Sequence, residues 1–171
     1  MSEVHFNAPA LPSFPLTEDF IPHFDLSLQP KQELLYSYLK DDSPDAPTIL
    51  GYGGSRGGAK SGGAQRCAMA LAWETPGTYV MVFRVGWAEL AENHIDKIIA
   101  DFPGMEQYWW ASKKRFDLPN GSRIAFRYGQ SIKEVRAKTR GQEYQFIFVD
   151  QAEECTDDML VQLRTSNRRA G

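Results

Sequence analysis

Residues Gly53 to Ser61 read Gly-Gly-Ser-Arg-Gly-Gly-Ala-Lys-Ser, directly after the short apolar run Thr48-Ile49-Leu50-Gly51-Tyr52. Glycines crowded ahead of a Lys-Ser pair are chemistry for phosphate. Lacking side chains, they let backbone amides point inward and approach closely, while the lysine reaches the β- and γ-phosphates and the serine hydroxyl can sit on Mg²⁺. From Gly54 the run fits the phosphate-loop pattern Gly-x-x-x-x-Gly-Lys-Ser except at Ala59, where the second glycine is required. Where that position needs a positive φ, the methyl group costs about 1–2 kcal/mol. The candidate nucleotide-binding residues are therefore Gly54, Ser55, Arg56, Gly57, Gly58, Ala59, Lys60 and Ser61. A flexible glycine-rich linker or a chance match competes with this reading. Linkers, however, rarely set Lys-Ser between an apolar run and an amphipathic segment.

A second motif lies far downstream. Phe146-Ile147-Phe148-Val149 is an apolar strand pattern, and Asp150 follows it. That sequence puts a carboxylate at the carboxyl end of what reads as a buried, central strand, where open α/β sheets bind ligands. By itself an aspartate after a strand is more often a turn residue. Paired with the phosphate loop it becomes a magnesium-site candidate together with Ser61, so the expected cofactors are ATP and Mg²⁺. The next residue, Gln151, can orient a water molecule but cannot take its proton. A general base contributes roughly 10²–10⁴-fold, so hydrolysis is expected to be slow unless another carboxylate serves. Glu153 and Glu154 lie close enough in sequence to substitute, and are equally at home as solvated charges ahead of a helix.

These groups must be held by a scaffold. Residues 1–30 carry Pro9, Pro12, Pro15, Pro22 and Pro30 among phenylalanines, which forbids a helix and predicts an extended arm before a domain over 31–171. Gln32 to Leu39 reads as a helix, Thr48 to Tyr52 as the strand feeding the phosphate loop, and Lys60 to Glu74 as the helix leaving it. Tyr79 to Phe83 is continuously apolar, as for a strand covered on both faces. Trp87 to Ala100 has helical spacing. Lys114–Leu118 and Arg123–Tyr128 flank Pro119-Asn120-Gly121-Ser122, a strong hairpin signal. Gly129 to Gln142 is polar and basic and reads as a loop. Thr156 is the expected N-cap of a last helix reaching about Arg168. Strands alternating with helices predict a mainly parallel α/β sheet, without internal repeats.

Bulk properties limit the alternatives. The chain has 171 residues, enough for one domain with a sizeable core, and its 42% hydrophobic and 24% charged residues are ordinary for a globular protein. A net charge of −3 excludes a uniformly basic nucleic-acid binder. The basic residues nevertheless crowd between Lys113 and Arg140, which is either a solvated face or a DNA surface. Cys67 and Cys155 lack metal-ligand spacing and fit core thiols of a reduced, cytosolic protein.

The phosphate loop, the strand ending in Asp150 and the segments between them resemble the ATPase domain of large terminase subunits, the DNA-packaging motors of tailed phages. That family's loop often reads Gly-Gly-x-Arg-Gly-Gly-Gly-Lys-Ser, which residues 53–61 match except at Ala59. Val82-Phe83-Arg84, the Asn120-Gly121-Ser122 hairpin and Arg140-Gly141 also look like the terminase arrangement. Leu28-Gln29-Pro30-Lys31-Gln32 is similar to its upstream glutamine motif. The resemblance covers about residues 28–165. It implies a P-loop NTPase three-layer sandwich, a role for Arg56 at the γ-phosphate, an adenine contact by Gln32, and catalysis near Gln151 and Glu153. It further implies ATP hydrolysis driving double-stranded DNA into capsids in the bacterial host cytoplasm, with a portal protein, a small terminase subunit and a homo-oligomeric ring as partners. Gln151 departs from the family's usual catalytic glutamate. A coupling strand and a nuclease domain would be expected beyond Gly171, so the sheet is expected to be incomplete at the C-terminus. A hydrolysis-deficient remnant of a prophage terminase and a helicase-like P-loop ATPase are the competing readings.

Overall fold

The computed structural model describes residues 28–53 and 60–168. Loop positions 54–59 and nearly all of the expected arm over 1–30 fall outside them. The described elements are α1 (Pro30–Lys40), α2 (Lys60–Glu74), β1 (Tyr79–Arg84), α3 (Trp87–Leu90), a π-helical turn (Ala91–Ile95), α4 (Asp96–Asp101), a 3₁₀ turn (Met105–Tyr108), β2 (Trp109–Trp110), β3 (Arg115–Asp117), β4 (Arg123–Tyr128), α5 (Ile132–Thr139), β5 (Phe146–Val149), a second 3₁₀ turn (Ala152–Glu154) and α6 (Asp157–Thr165).

The sheet runs β2-β3-β4-β1-β5. Its core is parallel: β1 pairs with β4 through Val82↔Phe126 and with β5 through Phe83↔Val149. The hairpin strands β2 and β3 extend it antiparallel, so the sheet is mixed around a parallel core. Side chains alternate across each strand, and this divides the core in two. Val80, Val82, Ile124 and Phe126 face one core with Ala68, Met69 and Leu90, while Met81, Phe83 and Ala125 face the other with Val135, Met159 and Leu163. Helices α2 to α4 cover the first face and α5 and α6 the second. The result is a three-layer α/β fold.

Four expectations are corrected. Thr48–Tyr52 is not a strand; it is irregular, and Ile49 is 66% exposed. Among the described residues it pairs with no strand, and an extended segment without a neighbour has no ladder to hold it. Secondly, β5 is an edge strand among the described residues, and all four of its residues are half-buried rather than buried. Thirdly, the expected loop over 129–142 contains helix α5. Ser131 is its N-cap, accepting from Glu134 N at 3.4 Å, and Val135 is fully buried. Finally, the helix expected over Trp87–Ala100 is interrupted by the π-helical turn.

The Pro-Asn-Gly-Ser turn does more than reverse the chain. Gly121 adopts φ +83°, which a side chain would strain, and Asn120 Nδ2 donates to Ala72 O at 2.7 Å and Trp73 O at 3.2 Å. Ser122 Oγ donates to Thr75 O at 3.0 Å and accepts from Thr78 N at 3.0 Å. The turn thereby satisfies the carbonyls at the carboxyl end of α2 and fixes that helix against the sheet.

The aromatic contacts of Phe126 with Phe116 and Trp109, at 5.8 and 5.9 Å between ring centroids, join the hairpin to the parallel core. Replacing Phe126 by alanine empties a fully buried site and is expected to lower stability by about 3–5 kcal/mol in urea denaturation. A loss below about 1 kcal/mol would mean that the site collapses or is not packed as described.

Candidate functional site

Strand parity decides which side chains meet at the carboxyl ends of β1 and β5. Arg84 shares the face of Val80 and Val82, and Asp150 shares that of Phe146 and Phe148, so both project to the side covered by α2. The ladder extends one step past β5, with Asp150 N donating to Phe83 O at 2.9 Å. The carboxylate is thus fixed at the strand end. From the other side comes Ser61, the second residue of α2 and 89 positions away, whose Oγ lies 3.3 Å from both Asp150 Oδ1 and Oδ2.

Two further groups complete the cluster. His94, whose side chain is fully buried, holds Nε2 3.0 Å from Asp150 Oδ2. Arg84 Nη1 lies 3.3 Å from the same oxygen, and its Nη2 donates to Gln151 Oε1. The hydrogen bond from His94, aided by the charge of Arg84 and by Ser61, holds the Asp150 carboxyl below its ordinary range against an opposing push from burial. The carboxylate is therefore charged at neutral pH. Gln151 adopts a left-handed backbone, φ 54° and ψ 54°, which is uncommon for a residue other than glycine and is a feature of ligand sites.

The first turn of α2 suits an anion. It contains no acidic residue, Lys60 and Ser61 open it, and its N–H groups sit at the positive end of the 15-residue helix dipole. Gln32 is also brought here. It is 2% exposed, its Oε1 accepts from Gln29 N at 2.9 Å, and its amide packs on Gly63, where a Cβ would come within 2.8 Å. Gln32 therefore closes the start of α1 against the start of α2.

Of the residues expected from sequence, Lys60, Ser61, Asp150, Gln151 and Gln32 converge on this region. Gly54, Ser55, Arg56, Gly57, Gly58 and Ala59 lie outside the described residues. Glu153 sits exposed on a 3₁₀ turn, with no hydrogen bond or ion pair to the cluster among the described residues. His94 and Gln65 escaped sequence reasoning. A histidine inside a helical pattern looks like an ordinary core residue, and the π-helical turn that aims it leaves no mark in the apolar spacing. Cys67 is buried, which pushes its thiol up to about 11, and Cys155 is half-buried.

No protein-family model, curated protein or solved structure matches the chain. Among the described residues no helix is long and apolar enough to cross a membrane.

The lowered Asp150 pKa fixes a sign for pH dependence. A carboxyl that ionises more readily folded than unfolded adds stability above its unfolded value, about pH 3.9, and loses it as pH falls through the folded value. The stability gap between wild type and Asp150→Asn should therefore narrow as pH falls from about 7 to about 3 in denaturant titrations. A gap constant across that range would show that charge on Asp150 does not stabilise the fold.

Proposed function

We propose that this chain binds ATP with Mg²⁺ at the first turn of α2, as a P-loop NTPase, and that it is the ATPase portion of a phage terminase large subunit. The nucleotide reading rests above all on the meeting of Ser61 with Asp150 at 3.3 Å, which joins the two halves of the motif across 89 residues. The donor set suits magnesium. Oδ2 of Asp150 is shared by Ser61, His94 and Arg84, whereas among the described residues Oδ1 meets Ser61 alone and keeps lone pairs for a hydrated cation. No group of three or more His, Cys, Asp or Glu side chains gathers among the described residues. Magnesium needs none, because it takes one or two carboxylates together with phosphate oxygens and water.

In this reading Lys60 neutralises the β- and γ-phosphates, the α2 N–H groups bind them, and the Ser61 hydroxyl and Asp150 Oδ1 face the cation. Mg²⁺ held there would supply positive charge to offset that developing on the phosphates. Gln151 orients water but accepts no proton. A hydrolysis-deficient nucleotide binder is the second reading, and Gln151 favours it. Its amide oxygen is already taken by Arg84, while Glu153 stands exposed outside the cluster.

The terminase assignment rests on the resemblance of residues 53–61 and its companion segments. It brings with it DNA packaging, a portal protein, a small subunit, a ring and the bacterial cytoplasm. The two faces of α5 suit double-stranded DNA. On one, a cleft of about 480 Å³ holds Lys133, Arg136 and Arg140 with no carboxylate in its lining. On the other, Lys138 and Lys114 lie over the rings of Tyr128 and Trp87, at 3.2 and 4.6 Å. None of Lys133, Arg136 and Arg140 forms an ion pair among the described residues, so their charge is available to phosphates.

Lys60→Ala removes charge-assisted bonds worth about 1.5–3 kcal/mol and should weaken ATP binding about 10- to 100-fold in calorimetry. Unchanged affinity would refute the nucleotide reading. Alanine at Lys133, Arg136 and Arg140 together should lower the salt-dependence slope of DNA binding by about 2–3. An unaltered slope would place DNA elsewhere.

A further inference from the structure

Helix α2 touches the Asp150 cluster at two points. Ser61 reaches the carboxylate directly. Gln65, four residues later and therefore on the same face, is 2% exposed and reaches the π-helical turn. Its Nε2 donates to Asn93 O and lies 3.4 Å from His94 Nδ1. The turn is widened at this place, with Asp96 N–H bonded five residues back to Ala91 O, and His94 is directed from it into the site.

The contacts fix the imidazole tautomer. The nitrogen of Gln65 that donates to a backbone carbonyl carries hydrogens only, so it can only donate to His94 Nδ1. Nδ1 is then the acceptor, the ring proton resides on Nε2, and Nε2 donates to Asp150 Oδ2 at 3.0 Å. A closed chain of contacts results: α2 to His94 through Gln65, His94 to Asp150, and Asp150 back to α2 through Ser61.

We propose that His94 is a positioning residue for the magnesium carboxylate: it claims Oδ2 of Asp150 and so presents Oδ1 to the first turn of α2, with Gln65 setting its tautomer. The inference rests on the nucleotide reading above and assigns a role within that site. Partners that orient a metal-site carboxylate typically change metal affinity or activity 10- to 100-fold when removed.

The test compares wild type, His94→Leu and His94→Gln, with Gln65→Met as a milder second variant should His94→Leu not fold. ATP binding is titrated against MgCl₂ and, separately, in EDTA. His94→Leu should raise the Mg²⁺ concentration for half-maximal enhancement about tenfold or more while affinity in EDTA stays near wild type. His94→Gln, which keeps a donor at the Nε2 position, should restore the midpoint, and Gln65→Met should raise it less. In the protein without nucleotide, ¹⁵N spectra of labelled histidine should show His94 protonated at Nε2 and bare at Nδ1.

An unchanged midpoint in both His94→Leu and Gln65→Met overturns the inference, as does the opposite tautomer. Equal losses with Mg²⁺ and in EDTA would show a merely structural role and overturn it too. Wild type that binds no ATP in a Mg²⁺-dependent way overturns the functional reading together with this one, which distinguishes the two failures.

Discussion

An ionised carboxylate that is mostly withdrawn from water must have partners, because leaving one unpaired costs several kcal/mol. Asp150, its side chain 14% exposed, meets that requirement with groups from three separate elements. Arg84 comes from the end of β1, His94 from the π-helical turn and Ser61 from the start of α2. Each contact is possible only if its element ends where it does. The register of β1 on β5, the widening at Ala91–Ile95 and the axial position of α2 are thereby tied to a single charge.

Helix α2 is the member that transmits this constraint. Its amino end meets Asp150 through Ser61, and its carboxyl end is satisfied by Asn120 and Ser122 of the hairpin turn. Between them, Cys67, Ala68, Met69 and Ala72 are fully buried, so the helix can neither slide nor roll without opening the core. Gly63 admits Gln32 where any side chain would collide, and this seats α1 on the same first turn. A phosphate-sized anion at Lys60 and Ser61 would meet N–H groups already set in place. Such preorganisation favours binding at little conformational cost.

Much of this arrangement was legible in the sequence. The apolar run at Tyr79–Phe83, the helix at Lys60–Glu74, the Asn-Gly hairpin and the Thr156 N-cap all stand where local chemistry places them. Asp150 and Ser61 could be paired because their motif has a mechanism as well as a pattern. The misses have physical causes. Thr48–Tyr52 has strand-like composition, but a strand exists only with a neighbour. Helix α5 was hidden by its charge, although Ser131-Ile132-Lys133-Glu134 carries a capping signal and Gln130 N bonds Glu134 Oε2 at 3.0 Å. His94 could not be read at all. Its direction depends on one widened turn, and helical periodicity does not encode that. The edge position of β5 is likewise a matter of long-range pairing, which local sequence does not carry.

The central claim is that Asp150 and Ser61 together face a divalent cation bound with nucleotide. Paramagnetic relaxation tests it directly: Mn²⁺ with a non-hydrolysable ATP analogue is added to the ¹⁵N-labelled chain, and signal broadening is mapped by residue. The account predicts broadening centred on Lys60, Ser61, Asp150 and Gln151 that requires the nucleotide and is reversed by Mg²⁺. Broadening centred on another part of the molecule, or none above that of Mn²⁺ without nucleotide, would contradict it.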